Sequence, residues 1–100
     1  MDIFDYPYYI DLDCIKEWLS LEGTNINSVN VNKQTLLHLN AMRGYIVVCE
    51  FLINNGANVH IRDIFDETCY HDAERGGHEY VKELLLKAGA DPYAKTGRYL

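Results

Sequence analysis

The stretches "TLLHLNAMRG", residues 35–44, and "TCYHDAERGG", residues 68–77, share a skeleton while differing in most of the letters between. Thr35 and Thr68 stand 33 positions apart, as do His38 and His71, and Gly44 and Gly77. Working outward, the same shift lays 29–61 on 62–94 and adds Val48/Val81, Glu50/Glu83, Leu52/Leu85, Gly56/Gly89 and Ala57/Ala90, eight identities in 33 positions. Character is kept elsewhere: Phe51 falls on Leu84, Ile53 on Leu86, Asn58 on Asp91. The frame also runs back into the N-terminus, where Trp18, Leu19, Gly23, Asn25 and Ile26 fall on Phe51, Leu52, Gly56, Asn58 and Val59. A period of 33 with almost three copies is the signature of a repeat architecture.

Each copy makes local physical sense. Thr35 precedes an apolar run, where its hydroxyl can cap the free N–H groups of a first helical turn. The spacing predicts a short helix through about Met42, ended by Gly44 where a left-handed residue is needed. A second helix over about 46–54 would bury Val48, Phe51 and Leu52 at i, i+3, i+4 spacing. The stretch "NNGANV" stops it at Gly56, and an extended return follows. Such a unit cannot cover its own apolar sides, and stacking copies side by side buries them. The repeated letters are then capping and stacking positions, and the variable ones face solvent or a partner.

Composition bounds the rest. One hundred residues make a single domain, and an apolar fraction of 48% is enough for a core. The net charge of −6 argues against nucleic acid or an anionic membrane as partner and favours a basic one. No run approaches the ~20 apolar residues of a membrane span. The start "MDIFDYPYYIDLD" lacks a basic leader region, so a secretory signal is not expected. Three cysteines, Cys14, Cys49 and Cys69, form no C-x-x-C pair and point to a reduced, cytoplasmic protein.

The two quoted copies, continued as "TLLHLNAMRGYIVVCEFLINNGANV" and "TCYHDAERGGHEYVKELLLKAGADP", resemble the ankyrin repeat over roughly residues 11–95. The resemblance implies an all-α ankyrin-repeat solenoid of helix–turn–helix units. On that frame residues 1–27 read as an N-terminal cap repeat, 28–61 as the central repeat, 62–95 as a C-terminal cap repeat and 96–100 as a tail. The chain then reads as complete, a minimal three-unit stack. Pro7 sits inside what would be the first helix of the first copy. Leu36 and Cys69 stand where the family prefers proline, and Asn40 and Glu74 where it prefers alanine. Lys33 and Asp66 replace a glycine of the hairpin fingers, so the finger tips are expected to bend differently. Tyr70, Asp72, Glu74 and Lys82 are bulkier or more polar than Leu37, Leu39, Ala41 and Cys49, as the solvated outer face of a terminal repeat would be.

The family's fingers and first helices line a concave surface that holds partner proteins. Carried over by register, the resemblance assigns Val31, Asn32 and Gln34 from one finger and Ile64, Phe65 and Glu67 from the next. It adds Met42, Arg43 and Arg75 near the first-helix ends, with Tyr8 and Tyr9 in the N-terminal cap. "DIFDE" is the sharpest signal, because adjacent apolar residues at a finger tip cost solubility unless something covers them. Folding of Phe65 back onto the neighbouring finger is the plain alternative. The expected role is a non-catalytic protein-binding module that docks rigidly, with no cofactor and no metal. An immunity or inhibitor protein covering a basic toxin or enzyme suits the charge and size, and an adaptor or scaffold suits them equally. The chain is expected to be a monomer or a weak homodimer.

Chemistry is the rival reading. Cys69, His71 and His78 suggest zinc or a thiol–imidazole pair, but residues 69 and 71 point apart on a helix and no fourth ligand has suitable spacing. His38 and His71 recur in register with threonine, which marks them as turn-fixing residues that bond the hydroxyl or the loop backbone. "RGGH" is a helix–helix turn and not a phosphate loop.

Overall fold

A computed structural model describes residues 3–5 and 11–96. Among them are five α-helices: α1 (Leu12–Leu19), α2 (Leu36–Arg43), α3 (Ile46–Asn54), α4 (Cys69–Arg75) and α5 (Glu79–Lys87), preceded by a 3₁₀ turn, Ile3–Asp5. No strand occurs among the described residues, so the architecture is the all-α stack that the period implied. Pro7, Tyr8 and Tyr9, with 97–100 of the tail, lie outside the described residues.

The threonines open the helices as their chemistry requires. Thr35 is the N-cap of α2: its hydroxyl accepts from the His38 N–H, and its own N–H donates to His38 Nδ1 at 3.1 Å. This is a capping box with histidine in place of the usual glutamate or glutamine. Thr68 and His71 repeat it at α4, with Thr68 N–H to His71 Nδ1 at 2.9 Å. Asp11 caps α1 through the Cys14 N–H.

The core runs unbroken through the stack. Ile15 and Trp18 from α1, Leu36, Leu37 and Ala41 from α2, and Val48, Cys49 and Leu52 from α3 are all buried. Cys69, Tyr70 and Ala73 from α4, with Val81 and Leu85 from α5, continue the same cluster. Helix α2 packs chiefly on α4, while α3 packs on α5, so each unit lends its apolar side to the next.

The turns are stitched as well. Gly44 ends α2 in the left-handed region at φ +75°, and the His78 ring lies where a Gly44 side chain would be. A Cβ on Gly76 would come within 2.6 Å of the same ring and 2.8 Å of the Met42 carbonyl. The two glycines thus leave the gap in which His78 Nε2 meets that carbonyl at 3.0 Å, joining one unit's turn to the next.

Two expectations fail here. The finger tips do not bend differently for want of glycine: Lys33 and Asp66 both take φ +59°, the left-handed conformation glycine would adopt. The outer face of the last unit is not uniformly solvated either. Asp72 and Tyr70 are buried: Asp72 lies close to His38 and Asp63 of the preceding unit and finger, and Tyr70 joins the apolar core with Lys82 over its ring. Glu74 is exposed, as expected.

Candidate functional site

Each finger is built on one side-chain oxygen. Asn30 Oδ1 accepts from the N–H groups of Asn32 and Gln34, both at 2.9 Å, and Asp63 Oδ1 from those of Phe65 and Glu67 at 2.9 and 3.1 Å. The left-handed Lys33 and Asp66 then reverse the chain. The Ile64 N–H donates to the Asn32 carbonyl at 3.0 Å and locks the two fingers side by side.

That locking brings four of the expected surface residues together: Val31 and Asn32 on one tip, Ile64 and Phe65 on the next. Val31 is 94% exposed, Ile64 49% and Phe65 44%, and Asn32 is exposed. Gln34 is half-buried, its side-chain oxygen accepting from Asn30 Nδ2 at 3.1 Å. Met42 and Arg43 are exposed at the far end of α2, roughly 12 Å from the finger end for eight residues of helix.

Glu67 differs from its expected place. It is 2% exposed, and its carboxylate is paired with the Arg75 guanidinium, which also lies 3.5 Å from Asp72 Oδ1. Arg75 therefore folds back along α4 and covers two buried carboxylates, its own side chain half exposed. The long reach of arginine makes this possible, and no spacing rule marks it. Arg62 performs a comparable task outside, donating to the carbonyls of Asp66 at 2.8 Å and Lys95 at 2.6 Å.

Sequence reasoning missed a second concavity, at the C-terminal side of α4. One cleft of about 370 Å³ is lined by Glu67, His71, Glu74, Arg75 and Thr96. A neighbour of about 420 Å³ shares His71, Glu74 and Thr96 and extends to Pro92, Tyr93, Ala94 and Lys95. The signal that could have found it is the period itself. Thr96 falls 33 places after Asp63 and 66 after Asn30, the position whose oxygen organises each finger.

The candidate chemical residues are engaged otherwise. His38 takes the Thr35 N–H at Nδ1, so Nε2 carries the proton and donates to the Glu67 carbonyl at 3.1 Å. Burial pulls its pKa down to about 4, against a smaller opposing effect of Asp63. His38, Asp63 and Asp72 are the one metal-like grouping among the described residues, and His38 has no lone pair left to give it. His71 spends its nitrogens alike, Nε2 meeting the Ala94 carbonyl at 2.7 Å. The Cys69 thiol contacts the Val59 carbonyl, and burial pushes it and Cys49 up to about 12, far from a reactive thiolate. Cys69, His71 and His78 form no common site among the described residues.

A model of ankyrin repeats matches residues 8–96 in three copies. The chain belongs to the ankyrin repeat family. Over 67 residues it is 43% identical to "Arf-GAP with coiled-coil, ANK repeat and PH domain-containing protein 2" of Gallus gallus, covering 65% of this chain and 9% of that protein. It is 40% identical over 80 residues to the Homo sapiens protein of the same name, covering 78% of this chain and 10% of the relative. It is also 28% identical over 89 residues to "Serine/threonine-protein kinase VIK" of Arabidopsis thaliana, covering 89% and 20%. The ankyrin chain thus spans between about a tenth and a fifth of these relatives. Ankyrin repeats generally mediate protein–protein interaction and are typically not enzymatic. No helix among the described residues is long and apolar enough to cross a membrane.

Proposed function

We propose that this chain is a non-catalytic module that holds a partner protein against its paired finger tips. One observation carries the reading: Val31, Ile64 and Phe65 stay exposed on two fingers that the Ile64–Asn32 backbone bond holds in fixed relation. Apolar residues gathered at a rigid, exposed place favour docking, because a preformed surface loses little conformational entropy on binding. The net charge of −6 supports a basic partner, and occlusion of a basic toxin or enzyme is the form of the role that charge favours. Three free cysteines support a reducing, cytoplasmic setting, and a monomer or weak homodimer is the assembly proposed.

The test is capture from a lysate of the source organism with the wild-type chain and an Ile64→Asp/Phe65→Asp variant. Circular dichroism should show equal helix content in both, since neither side chain belongs to the buried core. A partner held by the wild type should be lost by the variant. Equal capture by both would remove the finger tips from the function.

A further inference from the structure

The cleft between α4 and residues 92–96 has chemistry that the fold does not use. Thr96 is 5% exposed, and its hydroxyl oxygen has no hydrogen-bond partner among the described residues although the side chain lines both halves of the cleft. In the two earlier fingers the side-chain oxygen at this position takes two backbone N–H groups. A buried polar atom without a partner costs about 1–3 kcal/mol, so a donor arriving there has something to gain. Beside it Glu74, also lining both halves, is an exposed carboxylate with no hydrogen-bond or ion-pair partner among the described residues. Tyr93, 87% exposed, adds an aromatic ring to the outer half.

The cations nearby do not fill this role. Arg75 is committed to Glu67 and Asp72, and both nitrogens of His71 are spent on Thr68 and on the Ala94 carbonyl. Lys95 lines the outer half and sets one positive charge against an incoming cation. What the two halves share is a carboxylate and a hydroxyl acceptor, with an aromatic ring added in the outer half and no uncommitted charge-matched donor in the inner half among the described residues.

We infer that the cleft takes an arginine guanidinium presented by the bound protein. A planar fork of donors can satisfy Glu74 bidentately, reach the Thr96 oxygen and lie against Tyr93, which a compact ammonium does less well. The inference rests on the protein-binding reading and names a group that the partner supplies.

The probe is N-acetyl-arginine-N-methylamide, titrated into the isotopically labelled chain and followed by amide chemical shifts. The expected result is a saturable shift confined to Glu74 and residues 94–96, with the neutral citrulline analogue much weaker. Glu74→Gln should weaken binding about fivefold, the size of one partly exposed charged pair, and Thr96→Val about threefold. Lys95→Ala should tighten it about twofold. No saturable shift, equal binding of citrulline, or equal binding of the lysine analogue would overturn the proposal. So would binding seen only after Arg98→Ala, which would give the cleft to the chain's own arginine. Because no partner is present, failure here leaves the finger-tip reading to stand or fall on its own capture experiment.

Discussion

At the scale of the residue, His38 shows how one side chain serves both helix and stack. It accepts from Thr35 to close the first turn of α2 and donates to the Glu67 carbonyl, 29 residues on, at the base of the next finger. The bond from Thr35 needs the neutral ring, because a protonated Nδ1 cannot accept. Its folded pKa of about 4 lies below the ordinary histidine value of 6.5, so the unfolded chain binds the proton first as pH falls. The stability due to this residue is complete above pH 6.5 and is lost as pH drops from there toward 4. About 2 kcal/mol should go between pH 7 and pH 5. Urea unfolding at the two pH values checks it: His38→Gln should be less stable at pH 7 but lose about 2 kcal/mol less on acidification. An unchanged pH slope would mean that His38 is protonated without penalty.

At the scale of the element, the finger is the informative piece. Its glycine position is filled by Lys33 and Asp66, yet the backbone keeps the left-handed turn because Asn30 and Asp63 hold the hairpin from inside with two acceptor bonds each. A left-handed residue costs about 1–2 kcal/mol, less for aspartate, and glycine relieves this while adding freedom to the unfolded chain. Lys33→Gly should therefore stabilise by about 0.5–1 kcal/mol, read as a rise in urea midpoint with unchanged slope. Asp66→Gly should gain less, since aspartate tolerates the conformation and its exposed pairing with Arg62 is given up. Equal gains would show that the hairpin does not distinguish the two residues.

At the scale of the whole molecule, the units stand or fall together, because each covers its neighbour's apolar side. Trp18 is the chain's one tryptophan and sits in α1, while Val81 is buried in α5 of the last unit. Val81→Ala should cost about 2 kcal/mol. Trp18 fluorescence and far-ultraviolet dichroism should still report one common transition, shifted together to lower urea. A Trp18 transition that stayed in place while helix signal was lost earlier would show units unfolding separately.

The sequence by itself determined the period, the helix pairs, the caps at Thr35 and Thr68, the turn at Gly44 and the tip residues Ile64 and Phe65, all written within a few positions of where they act. Capping, helical spacing and left-handed turns are local physics, and the repeat states them more than once. Only the tertiary structure decided that Glu67 and Asp72 turn inward under Arg75, and that Thr96 and Glu74 line one cleft. The physical reason is reach. Where a long or charged side chain comes to rest depends on which neighbour, many residues distant in the chain, offers burial, a charge or an acceptor, and that choice exists only once the units have stacked.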